Sequence, residues 1–583
     1  MSLLSTIEDY CANGKLQAAP GMIRRVILKK LQAGWAAILA SLMIMAASVT
    51  LAEDADQSEA SAHLLAAEIA LQRADYLTAA SEYRQAAESS GSIDIARQAT
   101  RVAFSYEFND DALRSARRWL ELDQDDDEAL LYVAQIELRV GKLREAGRHF
   151  RTLIERGEEQ PDQRLLSLVQ ILSQEDPENA DAVMRSLSKR YKDSPLAHYA
   201  AAVMALQAED VEHAASRSLR AIELDPGWLK AKLLYARTLL LSGQADEAID
   251  YTARLIGDDP DPDPDARIEL AMMYMSVERN DDALSQVNQI LLEQPSSTDA
   301  MRLMAIINFR EENLDAAWDD FEDLLASGRH TMDALYYLGR IADFRSEHER
   351  AIRLYSQVRS GPNAVASQRR ASALIAFEQN EPEEALKQLD EFAKDNPRHA
   401  VDMVLTKAQL LSALDRHDAA LELYDKAVEF RPDSESTVLG RAELLLRMDR
   451  LDDAIAVYRQ AVRRWPDSSI ALNALGYTLA DRTDEYSEAE KLIRKALKYD
   501  PDSPAITDSL GWVLHKRGRH EAALAELEKA YAAFPDHEVA AHLVEVLTVL
   551  DREDEARELL QSAEEQTPDS KLLKDVRERM FGE

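Results

Sequence analysis

The sequence predicts an all-α fold, built as a superhelical solenoid of about 15 helix-turn-helix units. A small residue recurs every 33 to 35 residues along nearly the whole chain. Glycine and proline number only 18 each, whereas the strong helix formers Ala, Leu, Glu and Arg are abundant. A chain of 583 residues is also too long for one compact core. An array of repeats avoids this limit because each unit packs only on its neighbours.

The period is defined by one alanine in each unit, which we place where the second helix begins to pack closely on the first. Fifteen such alanines occur at near-constant spacing, which is very improbable for a chain without repeats. They are Ala79, Ala112, Ala146, Ala180, Ala214, Ala248, Ala283, Ala317, Ala351, Ala385, Ala420, Ala454, Ala489, Ala523 and Ala556.

Two further classes of residue keep the same register. Small residues stand twelve positions earlier in most units, where they permit two antiparallel helices to approach closely; they are Ala67, Ala134, Ala202, Ala236, Ala271, Ala305, Gly339, Ala373, Ala408, Ala442 and Gly511. Large aromatic residues stand four positions later, on the same helix face; they are Tyr83, Phe150, Phe321, Tyr355, Tyr424 and Tyr458. The units of Ala112 and Ala180 fit less well, with Thr100 and Leu168 in the place of the small residue.

These patterns divide the chain into three parts. Residues 1–52 form a leader, residues 53–569 form the solenoid, and residues 570–583 form a capping helix. The capping helix is predicted over 570–581 with four apolar residues on one face, namely Leu572, Leu573, Val576 and Met580.

The repeat is clearest between Ser469 and Pro535, where two units can be laid over each other. Leu475, Gly476 and Tyr477 in one unit match Leu510, Gly511 and Trp512 in the next. This pattern resembles the tetratricopeptide repeat, whose small, aromatic and proline positions recur every 34 residues. The resemblance implies a TPR solenoid with a concave surface lined by the first helix of each repeat.

Four residues are predicted to line that concave groove. Asn473 and Tyr477, and likewise Asp508 and Trp512, are one turn apart on successive first helices. An Asn side chain can hydrogen-bond an extended peptide, and Tyr or Trp supplies rigid apolar surface. The alternative is that the aromatic residues cover the neighbouring repeat.

The charge of the chain narrows the choice of partner. The formal net charge is −37, and residues 53–583 alone carry −40 because the leader sums to +3. Such a surface repels nucleic acid and anionic lipid. Other proteins are therefore the predicted partners, and a basic protein would be attracted.

The leader has the pattern of an export signal. Arg24, Arg25, Lys29 and Lys30 precede an uncharged run over 31–52 that ends in small residues. The run is also long enough to act as a single N-terminal membrane anchor. Basic residues on its N-terminal side would keep that end in the cytoplasm. We therefore expect the solenoid in the periplasm, either soluble or anchored to the inner membrane, and Met22 is an alternative start to Met1.

No pattern in the sequence indicates catalysis or a cofactor. His537 and His542 are five residues apart, so they do not share a helix face as the histidines of a zinc-protease motif do. Cys11 is the only cysteine, which excludes disulfides within the chain. The acidic run over 258–265 lacks the glycine and closing glutamate of a calcium loop, so we interpret it as a solvated turn rather than a metal site. We expect neither an enzyme nor a metal or cofactor site.

The leader, the many repeats and the segments around Tyr477 and Trp512 together are similar to envelope TPR proteins of Gram-negative bacteria. Among these, the adaptor of a carboxyl-terminal processing protease delivers cell-wall hydrolases to that protease. The resemblance implies a scaffold whose partners are a protease and its substrates. The chain departs from this family because no lipid-accepting cysteine follows the apolar run. Two alternatives remain open: a scaffold for polysaccharide export or envelope assembly, and an accessory subunit of an enzyme such as a glycosyltransferase.

Overall fold

A computed structural model describes residues 55–73, 75–157, 159–257 and 262–582. The leader and most of the acidic run lie outside these ranges, as do the predictions made for them. The described ranges contain 31 α-helices and no strand. The helices are α1 Ala55–Gln72, α2 Tyr76–Glu88, α3 Ile93–Ser105, α4 Asn109–Leu122, α5 Asp127–Arg139, α6 Leu143–Arg156, α7 Pro161–Leu172, α8 Pro177–Ser188, α9 Pro195–Gln207, α10 Val211–Leu224, α11 Leu229–Leu241, α12 Ala245–Gly257, α13 Pro264–Ser276, α14 Asn280–Glu293, α15 Thr298–Arg310, α16 Leu314–Ala326, α17 Thr331–Phe344, α18 His348–Ser356, α19 Ala364–Phe377, α20 Pro382–Asp395, α21 Ala400–Ala413, α22 His417–Phe430, α23 Glu435–Arg447, α24 Leu451–Arg464, α25 Ser469–Arg482, α26 Tyr486–Tyr499, α27 Pro504–Lys516, α28 His520–Ala533, α29 His537–Val549, α30 Glu553–Gln566 and α31 Lys571–Phe581.

The helices form fifteen consecutive pairs followed by one final helix. Each of the fifteen alanines that define the period is the fourth residue of a second helix, and all are essentially inaccessible to solvent. The six aromatic residues four positions later are buried as well. The predicted all-α solenoid of about 15 helix-turn-helix repeats is therefore confirmed, including the units of Ala112 and Ala180, where Thr100 and Leu168 are buried.

Small residues determine how closely the two helices of a pair approach. A Cβ atom on Gly511 would lie 2.5 Å from Leu527 Cγ, and one on Gly476 would lie 2.7 Å from Ile493 Cγ1. All the small residues predicted for this place are buried except Ala373. In that repeat the buried alanine is Ala371, two residues earlier.

Most first helices end in a left-handed residue that reverses the chain toward the second helix. Gly141, Gly243 and Gly518 take this conformation in three repeats. Acidic residues take it in several others, among them Glu107 and Asp449, with φ values of 64° and 56°. A non-glycine residue in this region of φ and ψ costs about 1 kcal/mol, so helix packing and not local preference holds these turns.

The first helices line the inner side of the solenoid. First helices of neighbouring repeats pack on one another along most of the array. In the described chain, second helices of neighbouring repeats pack closely in only two places. One is between the first and second repeats, and the other is between the third and fourth. The second helices are therefore spread apart on the outer, convex side.

The array curves far enough to touch itself. Phe108 of the second repeat and Phe430 of the eleventh lie edge to face, with 5.8 Å between their ring centroids. Beside them Arg431 Nη2 donates to Glu107 Oε2 at 2.9 Å. We call these four residues the closing contact. A further polar contact, Arg398 Nη1 to Gln174 Oε1 at 3.1 Å, joins the fourth repeat to the same region.

The final helix packs against α29. Leu573 and Val576 are buried and Met580 is half-buried, but Leu572 is exposed. The prediction that Leu572 shares the buried face is therefore wrong, because the helix turns this residue toward solvent. In the described part of the chain, no helix is both long enough and apolar enough to cross a bilayer.

Candidate functional site

The inner face of repeats eleven to fifteen holds a polar and aromatic network beside an open cavity. All four predicted groove residues lie here, on α25 and α27. Helix α29 of the next repeat completes the network with Glu538 and His542.

Trp512 and Asp508 are buried within the network, at 5% and 6% exposure. The Trp512 ring stacks on His542 with 4.1 Å between centroids. Its Nε1 donates to Asp481 Oδ1 at 3.2 Å, which ties α27 to α25. Asp508 Oδ1 accepts from His542 Nδ1 at 2.9 Å, which ties α27 to α29. Both side chains thus join neighbouring repeats and offer little surface to a ligand.

Tyr477 of the thirteenth repeat reaches the fifteenth, because its hydroxyl donates to Glu538 Oε1 at 2.7 Å. The same hydroxyl lies 3.5 Å from His542 Nε2. Burial, followed by the nearby Glu538 carboxylate, raises the pKa of the Tyr477 phenol well above its ordinary value. Tyr477 is therefore neutral and acts as a hydrogen-bond donor.

Asn473 faces the same groove one turn before Tyr477 and is half-buried. Its Oδ1 atom has no hydrogen-bond partner among the described residues, although that atom is shielded from solvent. An unpaired buried acceptor costs about 1–3 kcal/mol. Among the four predicted groove residues, Asn473 therefore has an unused acceptor, although a ligand could reach this atom only after the side chain rotates.

Two histidines of the network titrate in opposite directions. Burial alone would lower the pKa of His542, but the hydrogen bond and charge of Asp508 outweigh burial and raise it. The pKa of His515 falls to about 4 because the ring is desolvated and lies near His520, Lys516 and His542. His515 is thus neutral at pH 7. Its ring stacks on that of Trp512, with 5.3 Å between the ring centroids.

A cavity of about 840 Å³ opens beside this network, along the first helices α21, α23 and α25. It is lined by Gln409, Ser412, Ala413, Tyr424, Glu435, Ser436, Leu439, Gly440, Glu443, Leu444, Arg447, Tyr458, Ile470 and Ala474. Ile470 is 67% exposed although it is a large apolar residue on a helix. The cavity and the network share helix α25, since Ile470 and Ala474 line the cavity while Asn473 and Tyr477 belong to the network.

Sequence reasoning missed the cavity, although one signal for it was present. Gly440 lies two residues before the small residue Ala442, so this first helix has two small positions where one suffices for packing. A Cβ atom on Gly440 would lie 3.0 Å from Tyr424 Cε1. The glycine lets the Tyr424 ring reach the inner face. Glu443 and Arg447 on the same helix form an ion pair at 2.8 Å. Their charges cancel, so these two residues add no net charge to the cavity.

The described residues hold no grouping of three His, Cys, Asp or Glu side chains that could bind a metal ion. His537 and His542 do not act together: His542 is bonded to Asp508, while His537 lies beside Asp536.

Two sequence profiles described as Tetratricopeptide repeat match the C-terminal part of the chain. One matches residues 370–435, 439–504 and 478–538, and the other matches residues 514–580. These residues are tetratricopeptide repeats. The helix pairs of the tetratricopeptide repeats continue toward the N-terminus at the same period, through ten alanines that precede Ala420.

A curated relative is the TPR repeat-containing protein PA4667 of Pseudomonas aeruginosa. It is 29% identical over 215 residues, which is 37% of this chain and 36% of the relative. The match therefore spans about a third of the relative's length.

Solved structures with repeated helices also resemble the chain. Yeast Tom70 aligns with a TM-score of 0.37 and 17% identity, over 75% of this chain and 91% of that one. TTC0263, a TPR protein of Thermus thermophilus, aligns with a TM-score of 0.28 and 24% identity, over 31% of this chain and 97% of that one. These low scores add nothing to the fold assignment, which rests on the repeats themselves.

Proposed function

We propose that this chain is a non-enzymatic scaffold that binds an extended polypeptide segment of another protein in its inner groove. The observation that carries the proposal is the open cavity of about 840 Å³ with the exposed side chain of Ile470 at its edge. Binding sites are typically concave clefts whose lining combines apolar side chains with a few polar groups, as this cavity does.

The cavity offers the chemistry that an extended segment needs. Gln409, Ser412 and Ser436 can exchange hydrogen bonds with peptide N–H and C=O groups, which such a segment leaves unpaired. Leu439 is half-buried and Ile470 is exposed, so these two side chains supply the apolar surface of the cavity.

Site-specific photocrosslinking from Ile470 tests this proposal. A crosslinking amino acid at residue 470 is expected to capture a protein in cells, and Gly440→Leu, which fills the cavity, is expected to reduce that yield at least tenfold. A crosslinker at Leu292 is the matched control, because this residue is 84% exposed but lies on the outer helix α14. Equal capture of the same protein from both positions, or capture unaffected by Gly440→Leu, would contradict the proposal.

We further propose that the scaffold works in the periplasm, soluble or anchored at the inner membrane, and presents bound proteins to a carboxyl-terminal processing protease. The apolar run over 31–52 and the resemblance of the repeats to envelope adaptor proteins support this extension. The acidic surface fits it as well, because a strongly charged solenoid stays soluble at high concentration.

Two measurements test the extension separately from the groove. Alkaline phosphatase fused after residue 582 is expected to be active, since that enzyme folds only after export. Affinity purification of the full chain is expected to recover the protease together with a cell-wall hydrolase. An inactive fusion would refute the periplasmic location, and recovery of polysaccharide-synthase subunits in place of a protease would refute the adaptor role.

A further inference from the structure

The inner and outer sides of repeats six to ten differ strongly in charge. Their first helices, α11, α13, α15, α17 and α19, carry nine basic and five acidic residues, a net charge of +4. Their second helices, α12, α14, α16, α18 and α20, carry five basic and seventeen acidic residues, a net charge of −12. The first helices of these repeats are thus net basic within a strongly acidic protein.

Three of the seven arginines on these first helices are at sequence positions equivalent to the candidate site described above. Arg302 and Arg370 stand in the row of Asn473, and Arg340 stands in the row of Tyr477, when first helices are aligned on the repeat. Cavity residues Leu439 and Glu443 occupy the same two rows. Arg340 and Arg370 are exposed and Arg302 is half-buried, so all three are at least partly accessible to solvent.

Two of the three arginines are neutralised from within the face. Arg302 Nε donates to Asp333 Oδ2 at 2.7 Å. Arg370 donates two hydrogen bonds to Asp343, at 2.6 and 2.8 Å. Each of these pairs leaves no net charge for a ligand to recognise.

Arg340 differs because no carboxylate of the described residues lies within ion-pair distance of it. Its guanidinium carbon lies 4.9 Å from the ring centroid of Phe309 and 5.9 Å from that of Tyr336. Contact with ring faces orients a guanidinium group but leaves the N–H donors at its edge free. The residue is exposed, and none of its N–H groups donates to another described residue, so a ligand can reach it.

We propose that the inner face of repeats six to ten is a second docking surface, which binds an acidic polypeptide segment of a partner protein through Arg340. A carboxylate would accept two parallel hydrogen bonds from the guanidinium edge, and an apolar neighbour in the segment would lie on Phe309 and Tyr336. A long polyanion fits less well than a short acidic segment, because the outer helices at −12 repel it. This surface lies before the cavity near Ile470 and does not depend on ligand binding there.

Selection from a random 12-residue peptide display library, with the immobilised full chain as bait, tests this proposal. We expect enrichment of peptides that carry two or more Asp or Glu near an aromatic or aliphatic residue. Arg340→Glu and the milder Arg340→Gln are expected to abolish that enrichment. Arg353→Glu is the matched control, because it makes the same charge change on the outer helix α18, where Arg353 is 65% exposed. Enrichment of neutral or basic peptides, or no enrichment, would overturn the proposal.

The affinity of a single enriched peptide then tests whether the contact is electrostatic and whether another kind of molecule occupies the surface. Its dissociation constant, measured by fluorescence anisotropy, is expected to rise at least tenfold in Arg340→Glu and to stay unchanged in Arg353→Glu. Replacing its acidic residues by Gln or Asn is expected to weaken binding to the same extent. An equal loss of peptide affinity in both protein variants would show that the effect comes from the net charge of the protein, and it would contradict a specific contact with Arg340. Tighter binding of a single-stranded oligonucleotide, or a dimer of this chain that Arg340→Glu dissociates, would assign the surface to another occupant.

Discussion

His515 is the residue in the inner-face network whose protonation opposes folding. Its pKa is lowered to about 4, from an ordinary value of about 6.5. Between these values the unfolded chain binds a proton that the folded chain does not, so the free energy of unfolding rises with pH across this window. The contribution of His515 is complete above pH 6.5 and is lost as the pH falls to 4.

We therefore predict that His515→Gln flattens the acid side of the stability profile. The loss of stability between pH 7 and pH 4.5 should be about 1 kcal/mol smaller in the variant, a value reduced for the solvent-accessible part of the ring. Urea denaturation of the C-terminal repeats, followed by Trp fluorescence at both pH values, measures this difference. His537→Gln makes the same substitution at a half-exposed histidine of α29 and serves as the control.

The four candidate groove residues show what the repeat pattern can predict at this scale. The period correctly placed Asn473, Tyr477, Asp508 and Trp512 on successive first helices. It left open whether Trp512 would cover the neighbouring repeat, and it did not predict that the residue in contact with both Trp512 and Asp508 would be His542, 34 residues beyond Asp508. Coverage depends on the rotation between neighbouring repeats, and no single unit of sequence specifies that rotation.

At the scale of the helix pair, contact distance outweighs intrinsic helix preference. Replacing glycine by alanine within a helix usually stabilises it by about 1 kcal/mol. At Gly511, however, the new Cβ atom would meet Leu527 at 2.5 Å and the backbone oxygen of Ala523 at 3.2 Å. Because one of these contacts is backbone, side-chain rearrangement alone cannot relieve it.

We predict that Gly511→Ala destabilises its repeat by about 1–3 kcal/mol, the usual cost of overfilling a packed core. Faster hydrogen–deuterium exchange of the α27 and α28 amides, compared with other repeats, measures the effect locally. Gly147→Ala is the matched control, because Gly147 lies within α6 and its added Cβ would have no heavy atom within 4 Å. The control should slow exchange in α6; if Gly511→Ala also slowed exchange, close helix approach would not be the reason for this glycine.

The pairing of helices was predictable for a related reason. Each pair needs a small residue on one helix opposite a small residue on the other, and this requirement recurs with the period of the repeat. The turns were harder to predict, because residues such as Glu107 and Asp449 adopt a left-handed conformation that usually signals glycine. In these turns, the packing of the two helices overrides the preference of the single residue.

At the scale of the whole molecule, curvature brings together repeats that are far apart in sequence. Glu107 and Arg431 are 324 residues apart, yet they form an ion pair. Small rotations between repeats accumulate along the array, so a slight change in each would separate these residues. The closing contact could not be predicted from the sequence, because it depends on the sum of about ten such rotations.

The closing contact has a polar and an aromatic part, and these should differ in strength. The Arg431–Glu107 pair is partly exposed, and such pairs typically contribute between 0 and about 1 kcal/mol. The Phe108–Phe430 pair adds about 0.5–1.5 kcal/mol beyond its buried apolar area. The aromatic pair should therefore determine whether the array stays closed.

We predict that Phe430→Asp opens the solenoid, because the variant would bury a carboxylate against the Phe108 ring. The radius of gyration measured by small-angle X-ray scattering should increase, while circular dichroism should show unchanged helix content. Arg431→Glu should have a much smaller effect, and Phe377→Asp should have none, because Phe377 is half-exposed and lies away from the contact. If Phe430→Asp scattered like the unmodified chain, the curvature would be held by packing between neighbouring repeats alone. The closing contact would then be a consequence of the shape of the solenoid and not a cause of it.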